Sequence, residues 1–467
     1  MREKLLLLAP ATLLAVTACN SKPQQPNIVF FLVDDLGYAD LSYQNRSDFY
    51  ETPNIDKFLC ENLSFENSYA AASNSAPARA CLMTGMYTPR HGIYTVNPPD
   101  RGEASKRKLI AAPNNDEITP QFYTLAEMLT DAGYNCAQIG KWHLGDDNSN
   151  TGPLSQGFQY NIAGEKAGTP FSYFFPYTNP KTNKTHIGLE EGTPGEYLTD
   201  RLTDEAVKFI KQDRGDTPFF LYLSHHGVHT PLKAPQELVE KYEQKDRGLR
   251  HNNAVYAAMI ESVDNSFKTI CQTLEELGVA DNTIIVFYSD NGGSSATDNY
   301  PLRSMKGTPY EGGCRVPLAI KWSEKAPLAT TVDIPVTGVD FYKTFAEELT
   351  GKAPEGLDGE NIFTLIDENN YTRDIFWHFP AYLESYLDPM DFRSTPYSVI
   401  RSGDWKLIYF YETESCELYN LKEDISETIN LAEENPQQRD ELYRRLWQWL
   451  QATNAPTSFE SNPGFRY

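Results

Sequence analysis

The sequence predicts an α/β protein with a large, mostly parallel sheet flanked by helices, followed by a smaller C-terminal subdomain of antiparallel strands and a helix. Three observations predict this fold class. Up to residue 351, short and uniformly apolar runs alternate with segments of helical spacing. Polar residues follow these apolar runs directly, as they do where the strands of a doubly wound sheet meet a ligand. From residue 352 the pattern changes to strands joined by tight turns.

The apolar runs carry no polar alternation, so they predict strands that are covered on both faces. They are residues 27–33, 135–139, 218–223, 283–288 and 317–321. Helical spacing is found between them, at residues 124–132, 197–212, 254–277 and 339–349.

The C-terminal part predicts a sheet covered by a helix. Residues 397–401 and 405–411 have the composition of strands joined by a turn at 402–404, and residues 417–421 predict a further short strand. Residues 437–451 carry apolar side chains at helical spacing, which we interpret as a packing stripe.

Length and composition indicate a folded protein larger than one ordinary domain. The chain has 467 residues, of which 40% are hydrophobic and 22% charged. These values exclude a disordered, collagen-like or coiled-coil chain. Its 41 basic and 64 acidic residues give a net charge of −23. A field of that sign repels phosphate backbones, so we expect no nucleic-acid partner.

The N-terminus has the pattern of an export signal. Arg2 and Lys4 precede an apolar stretch, residues 5–16, that is shorter than the ~20 residues needed to span a bilayer. Small residues then lead into Cys19, which resembles the signal-peptide box of bacterial lipoproteins. This resemblance implies that residues 1–18 are cleaved, that a lipid on Cys19 anchors the protein to a membrane of the cell envelope, and that residues 19–26 form a tether. An ordinary secretory signal with an incidental cysteine is the alternative.

The remaining cysteines show neither CxxC nor mixed Cys/His metal spacing. A chain of this size folds without disulfides, so we expect most of them to be buried free thiols. They are Cys60, Cys81, Cys136, Cys271, Cys314 and Cys416.

Oxygen-bearing side chains follow two of the predicted strands. Asp34 and Asp35 come after the first strand, and Asp290 and Asn291 after the fourth. Adjacent carboxylates repel each other unless a cation lies between them. Four hard oxygen ligands suit Ca²⁺ or Mg²⁺ and not zinc. Either stretch alone is also compatible with an ordinary Asx turn at a strand end, but their coincidence favours a cation site.

The run from Ser75 to Gly85 reads SAPARACLMTG. A hydroxyl at a helix N-terminus, followed by Arg79, can act as a nucleophile while backbone N–H groups and the guanidinium stabilise an anion. With Tyr87 and residues 90–92 (RHG), this run closely resembles the signature of the type I sulfatase family. The resemblance extends over nearly the whole mature chain in ordered blocks, at residues 27–37, 52–56, 140–145, 229–232, 289–293, 306–307 and 310–313.

The resemblance implies the alkaline-phosphatase-like sulfatase fold, with a catalytic domain at residues 27–351 and a C-terminal subdomain at residues 352–467. It also implies that Ser75 is converted after translation to formylglycine. The serine form resembles the bacterial branch, in which a radical maturase makes the conversion. A hydrated aldehyde has two hydroxyls: one attacks sulfur, and the other then expels sulfate by C–O cleavage. A plain serine ester of sulfate would need a second attack at sulfur.

Carried over residue by residue, the resemblance implies a calcium site, with Ca²⁺ favoured over Mg²⁺. Its implied ligands are Asp34, Asp35, Asp290, Asn291 and the modified Ser75.

The same resemblance assigns the cations and imidazoles of the site. Arg79, Lys141 and Lys306 would hold the nucleophile and the sulfate oxygens. His143 would be the base that collapses the sulfated intermediate, and His229 the acid that protonates the leaving oxygen. These roles suit the side chains, since cations stabilise an anionic transition state and imidazoles transfer protons near neutral pH.

Several residues are candidates for contacts to the substrate. Val228 stands where many relatives have a proline, and three histidines cluster there, so His226 is one candidate. The insert at residues 96–115 carries Arg101, Lys106, Arg107 and Lys108, and the stretch 376–393 offers aromatic rings that suit sugar stacking. From that stretch we predict contacts by His378 and Arg393.

The resulting hypothesis is exo-acting desulfation of a carbohydrate, such as a glycosaminoglycan, a mucin or an algal glycan. One alternative is a phosphomonoester or phosphodiester hydrolase of the alkaline-phosphatase-like superfamily that uses unmodified Ser75. Another is a catalytically inert glycan-binding lipoprotein. The signature after Ser75 argues against the first alternative, and the intact set of metal, anion and proton-transfer residues argues against the second.

Overall fold

The computed structural model describes residues 25–388 and 390–466. The predicted signal peptide, Cys19 and most of the predicted tether lie outside the described residues.

The strands found in the described residues follow one another from the N-terminus. They are β1 (Asn27–Val33), β2 (Leu63–Phe65), β3 (Ser68–Tyr69), β4 (Asn135–Gly140), β5 (Tyr160–Ile162), β6 (Phe219–Ser224), β7 (Thr283–Ser289), β8 (Leu318–Lys321), β9 (Thr330–Val332), β10 (Val336–Thr337), β11 (Asp374–Phe379), β12 (Leu383–Glu384), β13 (Phe392–Ser394), β14 (Tyr397–Ser402), β15 (Trp405–Phe410) and β16 (Ser415–Asn420).

The α-helices alternate with the strands of the first sheet and end with one C-terminal helix. They are α1 (Pro53–Glu61), α2 (Ser75–Thr84), α3 (Thr88–His91), α4 (Leu125–Asp131), α5 (Leu198–Ile210), α6 (Gln236–Glu243), α7 (Ala254–Glu276), α8 (Glu311–Cys314), α9 (Asp340–Thr350), α10 (Ile362–Asp367) and α11 (Pro436–Ala452).

The large sheet has the strand order β5-β4-β6-β1-β7-β8-β2-β9. Its strands run parallel from β5 to β7, whereas β8 is antiparallel to both β7 and β2. The prediction of a mostly parallel sheet is confirmed. Gly140 pairs with Ser224, Ser224 with Leu32, and Val33 with Ser289. The carboxyl ends of β4, β6, β1 and β7 therefore meet at one edge of the sheet.

Helices cover both faces of this sheet, which explains why its strands are apolar throughout. On β1, Val29 and Phe31 pack with residues of α5 and α7, while Phe30 and Leu32 pack on the opposite side with residues of α2, α4 and α9. These β1 side chains are fully buried. Burial of each contributes about 1.5–3 kcal/mol to stability.

The C-terminal part forms an antiparallel sheet in the order β11-β14-β15-β16, with α11 packed on one face. The predicted hairpin at residues 397–411 and the C-terminal helix are confirmed. Strand β11 is not among the predicted strands, because its aromatic residues also suit contacts to a sugar. Its side chains alternate between the two faces of the sheet, with Trp377 on one face and Phe376 on the α11 face, and both are buried.

The six cysteines in the described residues are free thiols, as predicted. Cys81, Cys136 and Cys314 are buried. The expectation that most of the six are buried holds for these three only, since Cys271 and Cys416 are partly buried and Cys60 lies exposed on α1.

In residues 25–388 and 390–466, no helix has both the length and the apolar composition needed to cross a membrane.

Candidate active site

The polar residues that follow β1 and β7 meet at the carboxyl edge of the sheet. The backbone N–H of Asp35 donates to Asp290 Oδ1 at 3.2 Å, and Asn291 Nδ2 donates to Asp35 Oδ1 at 2.8 Å. Asp34, Asp35, Asp290 and Asn291 are all at most 2% exposed. This buried set of oxygen donors suits a hard divalent cation. A ligand atom of His229 also lies within 4.8 Å of carboxylate oxygens of Asp34 and Asp35.

The carboxylates of this edge differ in their proton affinity. Burial raises the pKa of Asp35, but the charges of Lys306, His229 and Lys141 outweigh burial and lower it overall. Burial and the neighbouring charge of Asp34 raise the pKa of Asp290. Asp35 also has a positive φ of 64°, a conformation that non-glycine residues adopt mainly where surrounding structure enforces it.

Ser75 is the first residue of α2, so its hydroxyl lies at the N-terminal end of that helix. Its Oγ lies 3.2 Å from Asp34 Oδ1 and 3.1 Å from Asn291 Oδ1. Lys306 Nζ donates to the same oxygen at 3.2 Å. The predicted nucleophile therefore contacts both strand-end oxygen pairs and a cation.

Three buried cations complete this cluster. Arg79, one turn after Ser75 on α2, contacts Asp290 Oδ2 through Nη2 at 2.8 Å. Lys141 follows β4 and contacts Asp34 Oδ2 at 2.7 Å, and Lys306 contacts Asp35 Oδ1 at 2.5 Å. The formal charges of the three carboxylates and three cations cancel, which allows them to share one buried site.

The two predicted catalytic histidines, His143 and His229, border the cluster. His143 is 8% exposed, has a positive φ of 64°, and its Nδ1 has no hydrogen-bond partner among the described residues. Burial and the charges of Lys141, Arg79 and Lys306 hold its pKa well below the usual value. His229 Nδ1 lies 2.6 Å from Thr230 O, and its Nε2 lies 3.8 Å from Asp35 Oδ2. Burial lowers its pKa to about 4.

Comparison with known proteins identifies the chemistry that this constellation serves. The sulfatase family profile matches residues 26–351, and the profile of the C-terminal region of N-sulphoglucosamine sulphohydrolase matches residues 305–455. The chain belongs to the sulfatase family. The predicted family and its alkaline-phosphatase-like fold are confirmed, and so is the prediction of a sulfuric ester hydrolase.

The relatives match over most of their length. The chain is 35% identical to a sulfatase of Formosa agariphila over 93% of this chain and 90% of that protein. It is 32% identical to human N-acetylgalactosamine-6-sulfatase over 76% of this chain and 69% of that protein. Among solved structures, Ps i-CgsB in complex with k-i-k-neocarrahexaose matches with a TM-score of 0.77 and 30% identity, covering 93% of this chain and 95% of that chain.

The predicted substrate residues of this sulfatase occupy different environments. His226 follows β6 and is 1% exposed, and neither ring nitrogen has a hydrogen-bond partner in the described part of the chain. Its ring centroid lies 5.3 Å from that of His186. Burial and the positive charges around it lower its pKa well below the usual value.

His378 is buried within the C-terminal part of the chain. Its side chain lies on β11, is 3% exposed, and its Nδ1 is 2.7 Å from Ser398 Oγ on β14. The ring packs edge-on against Tyr94 and Tyr411. The strand thus turns the ring into the packed interior of the C-terminal part, where its Nε2 has no hydrogen-bond partner among the described residues, and a contact between His378 and a sugar stays a prediction.

The insert at residues 96–115 packs against the segment around β12. Asp100 forms a β-bridge with Tyr382, and Arg101 Nε donates to Glu384 Oε2 at 2.9 Å. Arg107 instead turns back on its own loop and donates to Gly102 O at 3.0 Å. Lys106 and Lys108 are exposed. The insert therefore packs against the C-terminal part of the chain through Asp100 and Arg101.

Sequence analysis missed two residues of the site. Ser224, the last residue of β6, accepts a 2.5 Å hydrogen bond from Arg79 Nη1, and its position as a polar strand end could have revealed it. Gly168 packs on the imidazole of His143, so a Cβ there would lie 2.3 Å from His143 Nε2. Nothing in the sequence indicates the contact between Gly168 and His143, because it depends on the path of a long loop.

Proposed function

We propose that this sulfatase removes sulfate from carbohydrates, acting on the end of a glycan, with formylglycine formed from Ser75 and a bound calcium ion. The position of the Ser75 hydroxyl carries the proposal, since it contacts Asp34, Asn291 and Lys306 together. The sugar substrate is supported by two relatives of at least 30% identity, one named N-acetylgalactosamine-6-sulfatase and one solved with k-i-k-neocarrahexaose.

The donor set fits a calcium ion. Asp34, Asp35, Asp290 and Asn291 would hold it together with the converted Ser75, because their side chains already lie in mutual contact and carry hard oxygen atoms. When bound, the ion supplies positive charge that favours the ionised nucleophile and neutralises the developing anion.

The cations bind and orient the sulfate group. Lys141 and Lys306 reach the centre from two sides, and each makes an ion pair with a carboxylate at 2.7 Å or less. Arg79 donates to Lys141 O at 3.0 Å and so fixes the backbone from which that lysine extends. Preorganised cations of this kind stabilise an anionic transition state without reorganisation.

The imidazoles move the protons. His229 protonates the oxygen of the leaving alcohol, and His143 accepts the proton whose loss allows sulfate release. A sulfate ester is an anion, so its approach raises the pKa of His229 and favours the protonated acid. The low pKa of His143 keeps that imidazole neutral and able to accept a proton at pH 7.

We also propose that the protein is a lipoprotein of the bacterial cell envelope and that a radical maturase converts Ser75. The Cys19 signal-peptide box and the serine form of the signature support these two proposals. Palmitate labelling of the native protein and of Cys19→Ala tests the anchor, since only the native protein should carry label.

The conversion of Ser75 is tested by mass spectrometry and mutation. In active protein, the peptide that contains Ser75 should be lighter by two hydrogen atoms. Ser75→Ala should lose turnover by ~10³-fold or more while keeping the fold, because the nucleophile is gone. Ser73→Ala is the control, as that hydroxyl contacts Tyr397 at 2.8 Å and no carboxylate. Full sulfatase activity in Ser75→Ala would contradict the assignment.

The substrate class is tested with sulfated mono- and oligosaccharides beside aryl sulfates and phosphate esters. Sugar sulfates should give the higher kcat/KM, since contacts to the sugar can be used in the transition state. A preference for phosphate esters would instead favour a phosphohydrolase with unmodified Ser75.

A further inference from the structure

Arg393 lies beside Gly307, the residue after Lys306, although it comes from the C-terminal part of the chain. It is the middle residue of β13, which pairs with β12. Gly307, the neighbour of Lys306, donates to Ser73 O at 2.8 Å and accepts from Ser394 Oγ at 2.5 Å. These two bonds join the Arg393 strand to the loop before Ser75.

The guanidinium of Arg393 packs directly on Gly307. That glycine has a φ of +86°, and a Cβ there would lie 3.1 Å from Arg393 Nε. The guanidinium carbon of Arg393 also lies 4.0 Å from the centre of the Tyr386 ring. The guanidinium therefore lies close to the backbone at Gly307 and over an aromatic face.

Arg393 has donors without partners. Its Nε and Nη1 are shielded from solvent, and neither has a hydrogen-bond partner within residues 25–388 and 390–466. The carboxylate of Glu384 is near enough for Arg393 to help lower its pKa. That carboxylate, however, already accepts from Arg101 Nε at 2.9 Å and from Arg101 Nη2. Shielded donors without acceptors cost free energy, so this arrangement favours an acceptor from a ligand.

We propose that Arg393 binds a second anionic group of the glycan, next to the sulfate that is removed. A guanidinium presents parallel N–H donors that match a carboxylate or a sulfate, and such charged hydrogen bonds are strong. The substrate class is thus a polyanionic sugar, whose second group is a uronic acid carboxylate or a further sulfate ester. This inference rests on the proposed function, and Arg393 is a specificity residue and takes no part in the chemistry.

The test uses three disaccharides with one common backbone. The first carries a single sulfate, the second adds a carboxylate, and the third adds a second sulfate. Native protein should prefer one of the two dianionic sugars. Arg393→Gln should reduce that preference in kcat/KM by about tenfold or more, since a charged hydrogen bond is lost, while turnover of the singly sulfated sugar stays within about threefold. Arg393→Lys, which keeps the charge but loses the fork, should retain part of the preference.

A binding measurement separates this inference from the proposed function. Calorimetric affinities for the same sugars are compared between Ser75→Ala and Ser75→Ala with Arg393→Gln. A loss of affinity of about tenfold for a dianionic sugar supports the subsite even if native protein turns over no sulfate ester, an outcome that would defeat only the proposed function. Arg444→Gln, on the exposed side of α11, is the matched arginine control.

Two results overturn the inference. Equal losses on the singly sulfated and the dianionic sugars would place Arg393 in the shared sulfate site or in the structural framework. Unchanged selectivity and affinity in Arg393→Gln would show that no second anion is bound there, while sulfatase activity on the panel would leave the proposed function standing.

Discussion

Two buried clusters of charge differ in what their members contact. The interface cluster, made of Tyr69, Glu311, Arg315, Lys406 and Glu427, joins β3 and α8 to the C-terminal sheet. Lys406 lies 2.9 Å from both Glu311 and Glu427, and Glu311 also accepts from Arg315 at 2.7 Å and from the Tyr69 hydroxyl at 2.8 Å. Here each glutamate is held by a cation of the chain itself.

The catalytic cluster, named after the proposed function, consists of Asp34, Asp35, Asp290, Arg79, Lys141 and Lys306. Its formal charges cancel, but polar groups beside it lack hydrogen-bond partners. Burial and Asp34 raise the pKa of Asp290, which shows that the carboxylates crowd each other. Beside them, His143 Nδ1 and both ring nitrogens of His226 have no hydrogen-bond partner among the described residues. In the interface cluster Glu427 Oε1 also has no hydrogen-bond partner among the described residues, but it lies in an ion pair with Lys406. Buried polar groups with no partner cost free energy, which a ligand can offset. The two clusters should therefore respond differently when they are disturbed.

Removal of divalent ions should have the largest effect, and only on the catalytic cluster. Chelation should abolish most activity and lower the melting temperature, because a cation that binds only the folded state adds about 3 kcal/mol when present at a hundred times its Kd. Added Ca²⁺ should restore both, and Mg²⁺ should restore less. Activity and thermal unfolding are measured on the same sample. Fully active protein without a divalent ion in elemental analysis would refute the calcium site.

Lys406→Met should lower the stability of the protein and leave its activity nearly unchanged. This change leaves Glu311 and Glu427 without their shared cation, and breaking a buried ion pair on one side costs about 3–5 kcal/mol. The free energy of unfolding should fall by that amount in chemical denaturation, whereas kcat of the folded protein should stay within about threefold.

The control for this variant is Lys343→Met, which breaks a pair with the half-exposed Glu360. Pairs near the surface contribute about 0–1 kcal/mol, so its stability should hardly change. A large loss of kcat in Lys406→Met without a loss of stability would mean that the interface cluster acts on the catalytic centre.

The strand ends of the catalytic cluster could be predicted from sequence because their geometry is regular. Asp34, Asp290, Lys141 and Ser224 all follow or end neighbouring strands of one sheet, so the rule for parallel strands brings them together. The helical and apolar periods also predict α4, α5, α7 and α9, which cover the sheet. The resemblance to the family supplied the roles of these residues, which spacing alone does not give.

Contacts made by loops and by the second sheet could not be predicted in the same way. The side chain of His378 lies on the same face of β11 as Phe376, the face that α11 covers, and the aromatic residues on both faces of this strand do not reveal which face the histidine takes. Arg393 meets Gly307, and Gly168 meets His143, across chain separations that no local pattern encodes. Such contacts depend on tertiary structure.

Gly168→Ala should disturb His143 and leave the interface cluster unchanged. A Cβ at this position would lie 2.3 Å from His143 Nε2, so the imidazole must move. Displacement of a catalytic group by a fraction of an ångström to one ångström costs roughly 10–100-fold in rate. We expect a loss of kcat of that size with a nearly unchanged melting temperature.

Gly464→Ala is the matched control for this glycine, since the nearest atom to its added Cβ is Asn462 Oδ1 at 3.1 Å, on a side chain that can move. It should keep native kcat. Native kcat in Gly168→Ala as well would show that the loop yields and that it does not fix the position of His143.

The interface cluster should also change how stability depends on pH. Burial, opposed by Lys406 and assisted by Glu311, raises the pKa of Glu427 from 4.5 to about 7. The folded protein therefore keeps this proton between about pH 4.5 and 7, where the unfolded chain has lost it. Stability from this group is fully present below about pH 4.5 and is lost as the pH rises through 7. Glu427→Gln cannot ionise, so its melting temperature should fall less than that of native protein over this range. Glu433→Gln, at an exposed position, should follow the native curve. If the curves of Glu427→Gln and native protein run parallel, the proton is not held at Glu427, and the interface cluster is fully ionised throughout the range.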